Sequence, residues 1–214
     1  MFNCHAHPGL YTKNALVCTA RVDEISKLTQ FPYRSLGSLP GFNTDFSIIE
    51  NWAEKEAFIG EIGVDKRFDN KELQFSVLSD ILSIAEEHNN IVTFHQVGWT
   101  DEFLNTVFSF HLRGFIIHGF TGSYEIYNEL GKHGGLVSLS PRAEKTKFFS
   151  TLKERGITYP FLTETDSETG IEEIKTLKTW NDKLSLIFDR DIEKEVEDTF
   201  FSYISNCPLL GQNQ

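Results

Sequence analysis

The chain has 214 residues, 40% of them hydrophobic, which is long enough for one well-buried core and short for two. Its 31 acidic and 20 basic residues leave a formal charge of −11, which works against unassisted binding to a phosphate backbone. Three cysteines without paired spacing (Cys4, Cys18 and Cys207) and the lack of a signal-like or membrane-length apolar run argue against a disulfide framework, export or a membrane span, and point to a reducing, cytoplasmic setting.

Short apolar runs then alternate with amphipathic stretches. The first predicted strand, residues 2–7, carries Asn3, His5 and His7. Side chains alternate along a strand, so His5 and His7 share a face and can converge on one metal ion. Residues 8–14 are too few for a crossover helix, and a second strand at 15–20 follows directly. About two helical turns around residues 22–30 lead to a third strand at 33–39, a helix over 45–55 and a fourth strand at 58–64. Glu61 lies inside that otherwise apolar strand, where an unpaired carboxylate is costly and a metal partner removes the difficulty. Asp65 is in phase with it.

The next helix, 71–88, has the clearest stripe, with Leu73, Val77, Leu78, Ile81, Leu82 and Ala85 on one side. A fifth strand at 91–96 ends near His95, a helix covers 101–110, and a sixth strand at 114–119 ends on His118. The tight loop after it leads to Ser123, which either caps the following helix or helps bind an anion. A helix over 124–133, a strand at 135–140, a helix over 142–155 and an eighth strand at 160–165 come next. Asp166 then stands as a metal ligand or a helix cap, with Glu164 on its face and deeper. A helix over 171–180, a polar stretch, and a last helix at Ile192–Ser205 with Val196, Phe200 and Tyr203 on one side complete the pattern.

Eight strands alternating with helices predict an α/β fold, a TIM-type (β/α)8 barrel shortened in its first quarter, with few or no helices after strands 1 and 2. Residues 1–210 read as one domain and 211–214 as a frayed tail. In a parallel barrel the site gathers at the C-terminal strand ends, and four of the seven histidines fall there, whereas His88, His111 and His133 fall within or beside helices. The predicted metal ligands are His5, His7, Glu61, His95, His118 and Asp166. With Glu61 bridging, they suit two divalent ions of the zinc, manganese, magnesium or iron kind. Asp166 and Glu61 are the expected catalytic pair, and Asn3, Asp65, Glu164 and Ser123 are expected beside ligands or substrate.

Taken in order, the His5/His7 pair, Gly60-Glu61-Ile62-Gly63-Val64-Asp65, His95, His118-Gly119-Phe120-Thr121-Gly122-Ser123 and Leu162-Thr163-Glu164-Thr165-Asp166 resemble the TatD-type metal-dependent hydrolases of the amidohydrolase-like barrel group. The resemblance runs from residue 2 to about 208. It implies that His5, His7 and Asp166 bind one ion, that Glu61 bridges, and that His95 and His118 bind the second. It also implies hydrolysis of phosphodiesters, DNA being the usual substrate, whereas the sequence itself points to neither a membrane nor an obligate protein partner. A carboxylate in the fourth strand, where related barrels use a carbamylated lysine, favours this branch.

Three departures from the family pattern stand out. Asn3 replaces an aspartate, Leu39 replaces the histidine of a Gly-x-His-Pro run, and Gln96-Val97-Gly98-Trp99 lacks an arginine. They motivate the alternative of a TatD-like barrel that binds metal or ligand without turnover. Lys13, Arg21, Lys66, Arg67, Arg142, Lys145 and Lys147 either rim the mouth or are ordinary solvated loop charges.

Overall fold

The structure is a computed structural model that describes residues 1–205, so the tail expected at 211–214 lies outside the described residues. Its strands are β1 (Asn3–Ala6), β2 (Ala15–Cys18), β3 (Tyr33–Ser38), β4 (Phe58–Asp65), β5 (Ile91–Val97), β6 (Gly114–Ile117), β7 (Leu136–Leu139) and β8 (Leu162–Thr163). The helices are α1 (Ile25–Leu28), α2 (Phe46–Ala53), α3 (Lys71–Glu87), α4 (Thr100–Phe108), α5 (Tyr124–Lys132), α6 (Lys147–Arg155), α7 (Ile171–Phe188) and α8 (Ile192–Ser205). Order in the sheet follows order in the chain from β1 to β8, the topology of a (β/α)8 barrel. No helix separates β1 from β2, and only a 3₁₀ turn and the four-residue α1 separate β2 from β3, as expected. Among the described residues no helix is long and apolar enough to cross a membrane.

The chain divides into two compact units, Met1–Val17 with residues 117–205, and Cys18–Ile116. In the first unit β8 is only two residues long, shorter than the predicted 160–165. Pro160 offers no backbone N–H, and Asp166 turns the chain with φ of 54°, which limits regular pairing at both ends. Beyond that turn the chain still follows β1. The Asp166 N–H donates to the His5 carbonyl at 3.2 Å, His7 N–H to Ser167 at 2.9 Å, and Thr169 N–H to His7 at 3.0 Å.

The predicted 142–155 helix resolves into a 3₁₀ turn, Pro141–Lys145, and α6, which Thr146 caps by accepting from the Phe149 N–H at 3.2 Å. The helix expected to stop at Trp180 continues to Phe188. Leu177, Trp180, Asn181 and Leu184 keep the helical spacing of its buried face, so the polar Asn181 interrupts the apolar pattern but not the helix. In α8 the buried line is Ile192, Val196, Phe200 and Ile204, and the Phe200 ring stacks on Phe2 at 4.1 Å. Tyr203, expected on that line, instead donates its hydroxyl to the Gly134 carbonyl at 2.8 Å.

In the second unit β3, β4 and β5 pair in parallel around Leu36, Ile59, Ile62, Val92 and Phe94, all buried. The register slips between Ile59, opposite Val92, and Ile62, opposite Phe94, so β4 carries one extra residue where Gly60 and Glu61 sit. Helix α3 covers this sheet with Leu78, Ile81, Leu82 and Ala85. Leu73, predicted to share that stripe, is 59% exposed. Gln74 takes the inward place in the first turn, because its amide is committed to loop backbone groups.

Candidate metal centre

In the first unit, the end of β1, the chain after β6 and the chain after β8 bring His5, His118 and Asp166 together. Each offers one donor atom, and these atoms lie within 4.8 Å of one another. The His5 ring stacks on the His118 ring at 4.0 Å and 14°, and meets the edge of His7 at 5.3 Å. Asp166 presents Oδ1 at 3.9 Å from His5 Nε2 and 3.4 Å from His7 Nε2. Its Oδ2 accepts from Arg142 Nη1 at 2.9 Å. Asp166 is therefore not a helix cap, since α7 starts only at Ile171 behind Gly170.

Glu164 is fully buried beside this group, as its phase with Asp166 predicted. It accepts from the Gly119 N–H at 2.8 Å and from the Ser138 hydroxyl, and its Oε1 stands 3.7 Å from His118 Nδ1. At 3.7 Å the carboxylate faces the imidazole as a charge, beyond hydrogen-bond distance. Ser123 accepts from the Ile126 N–H at 3.2 Å and caps α5, one of the two roles expected of it.

In the second unit, Glu61 and His95 stand side by side, with Oε1 2.9 Å from Nδ1. The other ring nitrogen of His95 lies 3.2 Å from Asp65 Oδ2. If Nε2 carries the proton toward Asp65, Nδ1 is the lone-pair atom on the Glu61 side, the usual arrangement of a metal-ligating histidine held by a carboxylate. Burial pushes the Asp65 carboxyl up, but Arg67, the Arg67 backbone N–H and His95 outweigh it and hold it at about 2. The Glu61 backbone is confined by missing side chains: a Cβ on Gly37 would sit 2.1 Å from the Glu61 carbonyl oxygen, and one on Gly63 would sit 1.8 Å from the His95 carbonyl oxygen.

Sequence reasoning missed four groups here. Arg67 and Arg142, read as loop charges or a rim, each pair with a carboxylate of the candidate centre. Gln74 anchors the loop after β4, accepting from the Asp65 N–H at 2.8 Å and donating to the Phe68 and Asp69 carbonyls at 3.1 Å. The fourth, Glu173, explains Asn3. The Asn3 Oδ1 accepts from the backbone N–H groups of His5 at 3.3 Å and Thr165 at 3.2 Å, while its Nδ2 donates to Thr165 Oγ1 at 2.8 Å and to Glu173. An aspartate has no N–H to give Glu173, so the Asn and the Glu go together.

Burial raises the Glu173 carboxyl, against the lowering effect of Asn3 and a backbone N–H. An acid raised in the folded state contributes most below its unfolded value, about 4.3, and loses that contribution as pH rises through the folded one. Asn3→Asp is therefore expected to destabilise the fold by about 1–3 kcal/mol at neutral pH and by less in acid, through two facing buried carboxylates. Glu173→Gln in the same chain should restore most of the loss. Urea unfolding of the single and double variants at two pH values checks this, and independent, additive effects would disprove the pairing.

The sequence profile of TatD-related DNases matches residues 17–178, which contain Glu61, His95, His118 and Asp166. An uncharacterized metal-dependent hydrolase of Methanocaldococcus jannaschii is 26% identical over 162 residues, 73% of this chain and 64% of that protein, so the match spans less than two thirds of the relative's length. Among solved structures, a TatD homolog from Escherichia coli K12 superposes with a TM-score of 0.77 at 17% identity, over 97% of this chain and 98% of its own. A TatD family hydrolase from Entamoeba histolytica gives 0.67 at 14% identity, over 90% and 83%. At these identities the likeness establishes a shared fold.

Proposed function

Because this chain belongs to the TatD-related DNase family, we propose that it is a metal-dependent hydrolase cleaving phosphodiester bonds in DNA or short oligonucleotides. His5, His7, Glu61, His95, His118 and Asp166 are assigned to two divalent ions of the zinc, manganese, magnesium or iron kind. The observation that carries this reading is the convergence of His5, His118 and Asp166 within 4.8 Å. Two imidazoles and a carboxylate at that spacing are a donor set these ions accept.

Ions bound there supply Lewis acidity toward a phosphoryl oxygen and bring the acidity of a water toward neutral pH. The protein's own part is positional. Asp166 accepts a proton at Oδ1 while Arg142 holds Oδ2. Asp65 holds the His95 ring by a hydrogen bond, and the Glu164 carboxylate faces the His118 ring as a charge. Arg142 brings a guanidinium fork, with donors beyond the one given to Asp166, and matches phosphoryl oxygens in the way the arginine absent after β5 would. The net charge of −11 favours short or small phosphoesters over a long polyanion. Buried Cys4 and Cys18 suit a reducing, cytoplasmic setting.

The test is turnover after reconstitution with each of the four metals on single-stranded DNA, short oligonucleotides and a chromogenic phosphodiester. Metal-dependent hydrolysis is expected, and His5→Ala should reduce it at least about 100-fold. Absence of metal-dependent hydrolysis on every substrate would leave a metal- or ligand-binding barrel without turnover.

A further inference from the structure

A cavity of about 380 Å³ opens between the loop after β3, the loop after β4 and the first turns of α3. Leu39, Phe42, Phe68 and Leu73 form its apolar wall. Three of these are exposed to an unusual degree for large apolar side chains, Phe42 and Phe68 at 45% and Leu73 at 59%. Phe68 lies so close to Gly41 that a Cβ there would meet its ring at 2.8 Å, which seats the two loops against each other. Arg21 stands over the Phe42 ring at 5.3 Å.

The polar side chains of the lining are the amides of Asn43, Asn70 and Gln74, the hydroxyls of Ser38 and Thr44, and one carboxylate, Asp69, which disfavours an anionic ligand. Asn43 and Asn70 line the cavity, and Asn70, although it precedes α3, makes no side-chain capping bond. No lysine, arginine or histidine is among the described lining residues, so nothing in the cavity answers a phosphate. Aromatic faces with neutral amides, which both donate and accept, suit a flat, uncharged, hydrogen-bonding ring system.

The cavity adjoins the candidate ligands of its own unit. Gly63, two residues beyond Glu61, lines it, and so does Gln74, whose Oε1 accepts from the Asp65 N–H at 2.8 Å. Asp65 in turn meets His95 at 3.2 Å.

We infer that this cavity is a nucleobase subsite, in which the base beside the scissile phosphodiester stacks on Phe42 or Phe68 and pairs its edge with the Asn43 and Asn70 amides. The inference rests on the phosphodiesterase reading and names the part of the substrate that the metal ligands do not hold. It also accounts for Leu39, which replaces the histidine of the family's Gly-x-His-Pro run with an apolar wall.

Two measurements test it. The first compares kcat/KM for a dinucleotide with that for the same phosphodiester lacking its bases, in the wild type, Phe42→Ala, Phe68→Ala and Asn70→Ala. The wild type should favour the base-bearing substrate by about 10-fold or more, the range of one stacked base, and the Phe variants should bring the ratio toward one. The second follows binding of adenosine and thymidine, which carry no phosphate, by saturation-transfer NMR. Signal is expected with wild type and should be lost with Phe68→Ala, whose half-exposed ring makes it a mild change to the fold, with the melting curve as control. Turnover without base preference overturns the subsite and leaves the hydrolase reading standing. Cavity-dependent nucleoside binding without turnover does the reverse, and loss of both binding and preference overturns the subsite.

Discussion

Replacing Glu61 with alanine is expected to remove one of two bound metal equivalents and lower kcat by on the order of 10³-fold. That exceeds the 10- to 100-fold typical when a partner behind a ligand is lost, so magnitude separates a bridging ligand from a group that merely steadies His95. Glu61 is buried within an apolar strand, with its carboxylate 2.9 Å from His95 Nδ1. Removing one partner of this buried pair also costs stability, so melting curves of the metal-free wild type and variant accompany the rates as a folding control. Elemental analysis beside steady-state rates reads both effects. Full metal content together with full turnover in Glu61→Ala would falsify the two-metal assignment.

The second large effect is expected from Asp166→Asn. The substitution keeps size and shape, and asparagine tolerates the left-handed backbone at φ 54° as readily as aspartate does. It removes the charge and the ability to accept a proton, and it turns one of the two acceptor oxygens, facing the histidines or Arg142, into an NH2 donor. A fall in kcat of about 10²- to 10⁴-fold follows if Asp166 is the general base, with a smaller change in metal content. A variant that keeps kcat within about threefold would move the base elsewhere.

Most of the scaffold was readable from the chain because strand and helix alternate with clean periods, and because Glu61, His95, His118 and Asp166 interrupt apolar runs where an unpaired polar group would be costly. What escaped reading depends on partners far apart in sequence. Asn3 looks like a lost charge until Glu173 is found beside it, 170 residues away. Arg142 looks like a solvated loop residue until the turn after β8 carries Asp166 to it. The stripe of α3 promised a buried Leu73, but the backbone hydrogen bonds of the loop after β4 claim the inward position for Gln74. Strand alternation placed Asp65 in phase with Glu61 without foreseeing the extra residue in β4, and Asp65 still meets His95.

The glycines flanking Glu61 bear on how such a protein can change. Gly37 and Gly63 leave no room for any other side chain against the Glu61 and His95 backbones, so substitutions there would displace the proposed ligand rather than adjust it. Drift toward a new substrate is thereby channelled away from the sheet. The loops after β3 and β4 carry Phe42, Asn43, Phe68 and Asn70 on surfaces free to vary. A saturation library would accordingly return active variants with altered preference from residues 39–44 and 68–73, and almost none from the glycine positions two strands share.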